Sequence, residues 1–195
     1  MSRAGENVRL VTGSAVRLAV SPYDCVPEAR FLLWFYYVQS ETVVDQFEML
    51  LPLAVEWASE QERRILREGQ PLSEEQIADA KAVGVHDPER VRVLPVAAIP
   101  SPHHPALKAA CQQIEFLPTA PSGLTLQYGI FLRADCLGDR HLVVHELVHT
   151  FQYERLGGIR PFLRDYLFEC ATIGYREAPL EREASEIAQR ICCSG

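Results

Sequence analysis

The hydrophobic positions of this chain recur mostly at the spacing of amphipathic helices. Apolar residues return every three or four positions over residues 28–50, which predicts a long first helix. Pro52 then predicts the start of a second helix that ends near Arg67, because proline suits the first helical turn. A capping box at Ser73 predicts a third helix ending at Gly84. Further helices are predicted from about Ala106, over residues 140–156 and 161–175, and from Glu181 onward.

Shorter apolar runs predict a small number of strands. Residues 8–11 and 15–20 flank Thr12-Gly13-Ser14, which is typical of a hairpin. Later strands are predicted at residues 89–98, 114–117 and 124–133. The mixture indicates an α+β fold, with a hairpin and helical region over residues 1–90 packed on a core over residues 91–195. We expect the two parts to form one compact unit.

The segment His145-Glu146-Leu147-Val148-His149 lies within one of these predicted helices. Histidines at i and i+4 lie on the same helical face, so both imidazoles can reach one metal ion. Glu146 points to a different side, where it can take a proton from a water molecule. This is the H-E-x-x-H pattern of zinc hydrolases, with two imidazole ligands and a glutamate general base.

The predicted helix over residues 140–156 is amphipathic in a way that suits an active site. One face carries His145, His149, Gln152 and Leu156, and the other carries Val143, Val144, Leu147 and Phe151. We expect the apolar face to pack on a sheet while the histidines face a cleft. A second metal site at His103, His104 and Cys111 is disfavoured, because the spacing fits no zinc pattern.

Composition and charge narrow the classes of partner. The chain has 195 residues, is 48% hydrophobic, and carries a formal net charge of −7. A negative charge argues against nucleic acid or an anionic membrane as partner. No signal peptide is recognisable, and the longest strongly apolar run, residues 31–38, is too short to span a bilayer. We expect a cytoplasmic protein whose 6 cysteines are reduced.

The last third of the chain resembles the zincin metallopeptidases, in which a strand precedes the H-E-x-x-H helix. The Gln152-Tyr153 pair after the motif, and the ending Pro179-Leu180-Glu181-Arg182-Glu183-Ala184, resemble small bacterial proteins that carry His-Glu-Leu-Val-His. The resemblance implies a zincin-like fold with a small mixed sheet. It also implies a Zn²⁺ cofactor, and residues 124–131 as the edge strand that pairs with an extended peptide substrate.

Within the zincins, the gluzincin branch takes its third zinc ligand from a glutamate on a later helix. Glu169 has the spacing of thermolysin-like enzymes, but its position among polar residues suits a solvated side chain better. Glu181 begins another predicted helix with small Ala184 nearby, which allows a close approach of the metal. Glu181 is therefore preferred, with Glu169 and Glu183 as alternatives.

These residues predict a zinc metallopeptidase, a hydrolase of peptide or protein substrates. Glu146 would act as general base, and the oxyanion needs a further donor besides zinc. The candidate donors are Tyr166, Tyr175, Tyr153 and His141. Because metal-bound imidazoles need an orienting acceptor, Asp135 or Asp139 is expected to hold a histidine. The alternative function is a catalytically inactive zinc-binding accessory or protein-interaction domain. The sequence leaves the oligomeric state open.

Overall fold

The computed structural model describes the backbone of residues 27–113 and 121–193, and the side chains of residues 47–111 and 121–193. The chain divides into two units, Met1–Ser40 and Glu41–Gly195. His145, Glu146, His149 and Glu181 all lie in the second unit. The hairpin predicted at residues 8–20 and the strand predicted at residues 114–117 lie outside the described residues.

Six α-helices occur in the described part of the chain, and most of them match the predicted ones. The helix predicted between Ser73 and Gly84 has the capping box at Ser73 and a left-handed Gly84, so its predicted start and end are confirmed. The six helices are α1 Pro27–Glu68, α2 Glu74–Val83, α3 Pro105–Gln113, α4 Arg140–Leu156, α5 Ile159–Ile173 and α6 Pro179–Cys193.

The helix break predicted at Pro52 is wrong, because α1 runs through this residue without interruption. A proline inside a helix removes one backbone donor and crowds the preceding turn. Leu51 and Ala54, on either side, are buried in the core with Ala58. Burial of this apolar face offsets the local cost of the proline.

The described strands form one small mixed sheet. They are β1 Gln70–Pro71, β2 Arg92–Val96, β3 Gly123–Leu126 and β4 Gly129–Arg133, in the spatial order β1-β2-β4-β3. β2 and β4 are parallel, and the other two pairs are antiparallel. Six helices beside this sheet give the mixed helix-and-sheet class that the sequence predicts.

The single strand predicted over residues 124–133 is wrong, because it is a hairpin of β3 and β4. Gln127 has a φ of 57°, and this left-handed residue turns the chain between the strands. Tyr128, beside this turn, donates its hydroxyl to Glu154 of α4 at 3.0 Å, which attaches the turn to that helix. Of the two strands of this hairpin, only β3 lies at a sheet edge, so the predicted edge over residues 124–131 is correct for its first part only.

The helix α4 has the bounds that the sequence predicts. Asp139 caps its start by accepting a hydrogen bond from Leu142 N at 3.1 Å, and a left-handed Gly157 ends it. Its apolar face lies in a hydrophobic core shared with α2, α6 and the sheet. This packing fixes α4 along its length and leaves the opposite face for the site. The apolar face that lies in the core consists of Val143, Val144, Leu147 and Val148, with Phe151 packed against it.

Within the described residues, no helix is both long enough and apolar enough to cross a membrane. The cytoplasmic location and the absence of nucleic-acid partners stay predictions.

Candidate metal centre

Three side chains from two helices converge at one point. His145 and His149 project from α4, with their Nε2 atoms 3.1 Å apart. Glu181 reaches them from the first turn of α6, with Oε2 3.4 Å from Nε2 of His145 and Oε1 3.4 Å from Nε2 of His149. The three potential ligand atoms all lie within 4.8 Å of one another. This group could therefore hold a metal ion.

Small residues on α6 bring Glu181 close to α4. Ala184 and Ala188 are fully buried in the core that also contains the apolar face of α4. An alanine at such a position lets two helix backbones approach more closely than a larger side chain would. The sequence argument that Ala184 permits a close approach of Glu181 agrees with this packing.

Burial and charge act against each other at this centre. Glu181 and His149 are 5% and 7% exposed. Burial would raise the pKa of Glu181, but hydrogen bonds with both histidines and the charge of His149 lower it well below its ordinary value. Burial would likewise lower the pKa of His149, but the hydrogen bond and charge of Glu181 raise it. Glu181 thus stays ionised, and positive charge is favoured at the point where the three side chains meet.

The side chain of Gln152 orients His149. Its Oε1 lies 2.8 Å from Nδ1 of His149, while its Nε2 donates to Leu180 O and to Glu183 Oε2, both at 2.9 Å. Since both amide protons are directed to acceptors, Oε1 must accept, and Nδ1 of His149 must carry a proton. In the neutral form that a metal ligand requires, the lone pair of His149 is therefore on Nε2, the nitrogen that faces His145 and Glu181.

The two alternative glutamates have other partners. Glu169 Oε2 accepts a hydrogen bond from Leu180 N at 3.0 Å and so caps the start of α6. Glu183 forms two hydrogen bonds of 2.6 Å with the guanidinium of Arg155. Neither glutamate belongs to the group of His145, His149 and Glu181 that could hold a metal. Among the three candidates, the structure brings Glu181 to the histidines.

The predicted general base Glu146 lies beside this group and is 5% exposed. Thr125 of β3 donates to its Oε2 at 2.6 Å. This hydrogen bond holds one carboxyl oxygen of Glu146 against β3. On the same strand, Gly123 makes room for the carboxyl group, since a methyl group there would lie 2.7 Å from Cδ of Glu146.

Two of the three tyrosines proposed as oxyanion donors, Tyr166 and Tyr175, lie next to Glu181. Tyr166 donates its hydroxyl to Glu181 Oε1 at 2.5 Å, so in this structure it supports the carboxylate. Tyr175 lines the cavity at the site, and burial together with the charges of Glu181 and Glu146 raises its pKa. Tyr175 therefore keeps its proton and can act as a donor.

The expected orienting aspartates are used elsewhere. Asp135 pairs with Arg133 at 2.5 Å, and Asp139 caps α4. Sequence reasoning placed Gln152 on the face of the histidines but gave it no role, although the i, i+3 spacing from His149 was available as a signal. The contacts of Glu146 with Thr125 and Gly123 depend on how β3 lies against α4, for which the sequence offers no signal.

Two openings flank the centre. A cavity of about 420 Å³ is lined by His145, Glu146, His149 and Glu181 as well as by apolar residues of α1, β3 and α5. An open groove of about 410 Å³ lies beside His145, Tyr175 and Glu181, with Arg176 and Arg182 along it. His141 is exposed and lines the cavity. The group of His145, His149 and Glu181 is thus accessible from the cavity and from the groove.

Comparisons of the chain with models of protein families, with curated proteins and with solved structures find no match, so its function is inferred from the geometry of this centre.

Proposed function

We propose that the chain is a zinc-dependent metallopeptidase with a zincin-like fold. The observation that carries the proposal is the position of Glu146 between two elements. On one side it lines the same cavity as His145, His149 and Glu181, and on the other it contacts the edge strand β3. A peptide paired with β3 would pass directly over a potential general base and a potential metal site.

The distances among the three ligand side chains suit zinc. Bonds of the length that zinc makes to nitrogen and oxygen, in tetrahedral directions, place neighbouring ligand atoms ~3.3 Å apart. The two Nε2 atoms lie 3.1 Å apart, and each lies 3.4 Å from a different carboxylate oxygen of Glu181. Two imidazoles and one carboxylate also favour zinc over magnesium or calcium. When bound, zinc would supply a Lewis acid that acidifies water and polarises a carbonyl group.

Glu146 would perform the proton transfers of the reaction. Thr125 holds Oε2, so Oε1 is the carboxylate oxygen left to accept a proton from the attacking water. The water oxygen then bonds to the scissile carbonyl carbon, and the C–N bond breaks. The proton passes from Glu146 to the departing amine nitrogen. Tyr175, which keeps its proton, is the candidate donor to the developing oxyanion.

The backbone of β3 has hydrogen-bonding groups directed away from its partner strand. Arg133 N donates to Ser122 O at 2.8 Å across the β3–β4 ladder. Because bonded and non-bonded pairs alternate in an antiparallel ladder, Gly123 and Thr125 fall at the non-bonded pairs. The amide and carbonyl groups of these two residues therefore point to the open edge.

One of these outward groups is already occupied. The hydroxyl of Tyr153 donates to the carbonyl of Thr125 at 3.2 Å. The amide and carbonyl of Gly123 are then the groups best placed to pair with a substrate backbone. Since Gly123 also adjoins the carboxyl group of Glu146, pairing there would bring the scissile bond to the base.

The test combines metal content with hydrolysis. The full chain, purified without a histidine tag, is analysed by elemental mass spectrometry beside His149→Ala, and is incubated with a peptide library beside Glu146→Gln. We expect about one zinc per chain in the wild type and Glu146→Gln, loss of zinc in His149→Ala, and cleavage by the wild type alone.

Zinc at this ratio without cleavage of any peptide would contradict the metallopeptidase and favour the alternative, an inactive zinc-binding accessory domain. Absence of zinc would overturn both. Cleavage by Glu146→Gln at the wild-type rate would remove Glu146 from the mechanism.

A further inference from the structure

The cavity beside the metal group is mainly apolar away from the ionisable residues. Ala54, Trp57 and Ala58 of α1 form part of its wall, and Leu126, Phe162 and Leu163 line it as well. Its volume of about 420 Å³ falls within the range of small-molecule and side-chain binding sites. Most side chains at these positions are buried, so the cavity lies within the folded unit.

The same cavity is continuous with the proposed reaction centre. Glu146 and Glu181 line it together with His145 and His149. A group bound in the apolar part would therefore belong to the molecule whose reacting bond lies at Glu146. An apolar void with no such connection would be explained as a packing defect, but this one opens onto the site.

Trp57 contributes an aromatic side chain to the wall of the cavity. Its indole Nε1 is buried and has no hydrogen-bond partner among the described residues. Buried tryptophan N–H groups usually find an acceptor, since leaving one unpaired costs free energy. Because Trp57 lines the cavity, an aromatic occupant would contact its side chain.

Two alanines of α1 contribute to the volume of the cavity, because their side chains are small. Ala54 and Ala58 are one helical turn apart on α1, and both are buried and line the cavity. A leucine at either position would extend into the space that they leave. The size of the cavity is thus set in part by small residues of α1, outside the H-E-x-x-H helix.

We propose that this cavity binds a bulky apolar side chain of the substrate next to the scissile bond, with an aromatic ring as the best fit. A peptide with a bulky apolar residue supplies the side chain that this lining favours. The inference rests on the proposed peptidase function for its substrate class. Selectivity arises because apolar surface of the side chain leaves water on binding.

Binding is tested without turnover, so that it is separated from catalysis. The Trp34→Phe variant leaves Trp57 as the single tryptophan of the chain, whose fluorescence reports on the cavity. The probes are N-acetyl-Gly-Phe-amide and N-acetyl-Gly-Ala-amide, titrated into the zinc-loaded and the metal-free protein. We expect the phenylalanine probe to perturb Trp57 and to bind at least about tenfold more tightly than the alanine probe.

The variants Ala58→Leu and Ala54→Leu are compared with Ala78→Leu, which makes the same change at an exposed position of α2. Filling the cavity should reduce the preference for phenylalanine to less than about threefold, whereas Ala78→Leu should keep it. Melting curves identify any variant that fails to fold, and the second filling variant then decides.

The outcomes separate this inference from the proposed function. Cleavage of the peptide library with no preference for bulky apolar residues near the scissile bond, or equal binding of the two probes, would overturn the inference and leave the peptidase intact. A preference for phenylalanine that Ala58→Leu and Ala54→Leu both leave unchanged would also overturn it. Selective binding without any cleavage would support the cavity and contradict the peptidase.

Discussion

The Oε1 atom of Gln152 lies 2.8 Å from Nδ1 of His149 and determines which nitrogen of that imidazole faces Glu181. The side-chain amide of Gln152 cannot flip without losing two hydrogen bonds, because its Nε2 donates to both Leu180 O and Glu183 Oε2. Glu183 is itself fixed by Arg155. A chain of hydrogen bonds thus extends from an exposed arginine to a potential metal ligand.

Replacement of Gln152 by leucine should weaken metal binding without removing a ligand. His149 would lose the acceptor that keeps its proton on Nδ1, and losses of about 10-fold to 100-fold in metal affinity are typical for such partners. Competition with a zinc chelator measures the effect. Gln189→Leu, at an exposed position of α6, is the matched control and should bind zinc like the wild type. Equal affinities for the two variants would show that Gln152 has no orienting role.

Three glutamate variants distinguish the third ligand from its neighbours. Glu181→Gln keeps the shape of the side chain but removes its charge, so zinc affinity should fall by more than about 100-fold. Glu169→Ala should keep its zinc and lose about 1 kcal/mol of stability, because it removes the cap on Leu180 N. Glu183→Gln should stay close to the wild type in zinc content.

Zinc titration and thermal melting measure these two effects separately. Since a ligand that binds only the folded state raises the melting temperature, added zinc should stabilise the wild type and Glu169→Ala but not Glu181→Gln. Loss of zinc from Glu169→Ala with retention in Glu181→Gln would reverse the assignment.

The parts of the molecule that sequence predicts well are those fixed by local spacing. The bounds of α4 follow from its periodicity and its caps at Asp139 and Gly157, and the position of His145 relative to His149 follows from the helix itself. The capping box at Ser73 is equally local. Such features need no knowledge of what the helix packs against.

The features that the sequence does not predict depend on tertiary contacts. Pro52 continues α1 because its neighbours are buried, and the hairpin at Gln127 forms although the apolar pattern runs through it. At the site, the choice of Glu181 could be reached from small neighbours on its helix, whereas the contact of Glu146 with Thr125 could not. A contact between residues far apart in sequence is set by strand register, which the apolar pattern leaves open here.

Substitution of Gly123 by alanine should separate metal binding from activity. The added methyl group would lie 2.7 Å from Cδ and 2.9 Å from Cγ of Glu146, so the carboxyl group must move. Displacements of about 1 Å at a catalytic group can reduce the rate by about 100-fold. The ligands on α4 and α6 are unchanged, and zinc content should stay at the wild-type level.

Gly138→Ala is the matched control, since a methyl group there meets no atom within 4 Å. Peptidase activity and elemental analysis are measured on both variants. Wild-type activity in Gly123→Ala would indicate that the carboxyl group of Glu146 does not need its position beside β3.

A pH-dependent prediction concerns Glu62, which joins α1 to the β3–β4 hairpin. Its Oε1 accepts a hydrogen bond from Tyr128 N at 3.3 Å. Burial raises the pKa of Glu62 above its ordinary value of 4.5, against the lowering effects of this hydrogen bond and of Arg90 and Arg63. The folded chain therefore holds this proton more tightly than the unfolded chain. Its contribution to stability is largest below pH 4.5 and falls as pH rises through the folded pKa.

Glu62→Gln keeps an acceptor for Tyr128 N and removes the buried charge. Its melting temperature should exceed that of the wild type at pH 7, and the difference should disappear at about pH 4, where the wild-type carboxyl group is protonated in both states. Glu60→Gln, at an exposed position of the same helix, serves as control and should show no such difference. If Glu62→Gln is less stable than the wild type at pH 7, the carboxylate is stabilising as an anion. In that case, its charge interactions with Arg90 and Arg63 outweigh the cost of burial where α1 meets the hairpin.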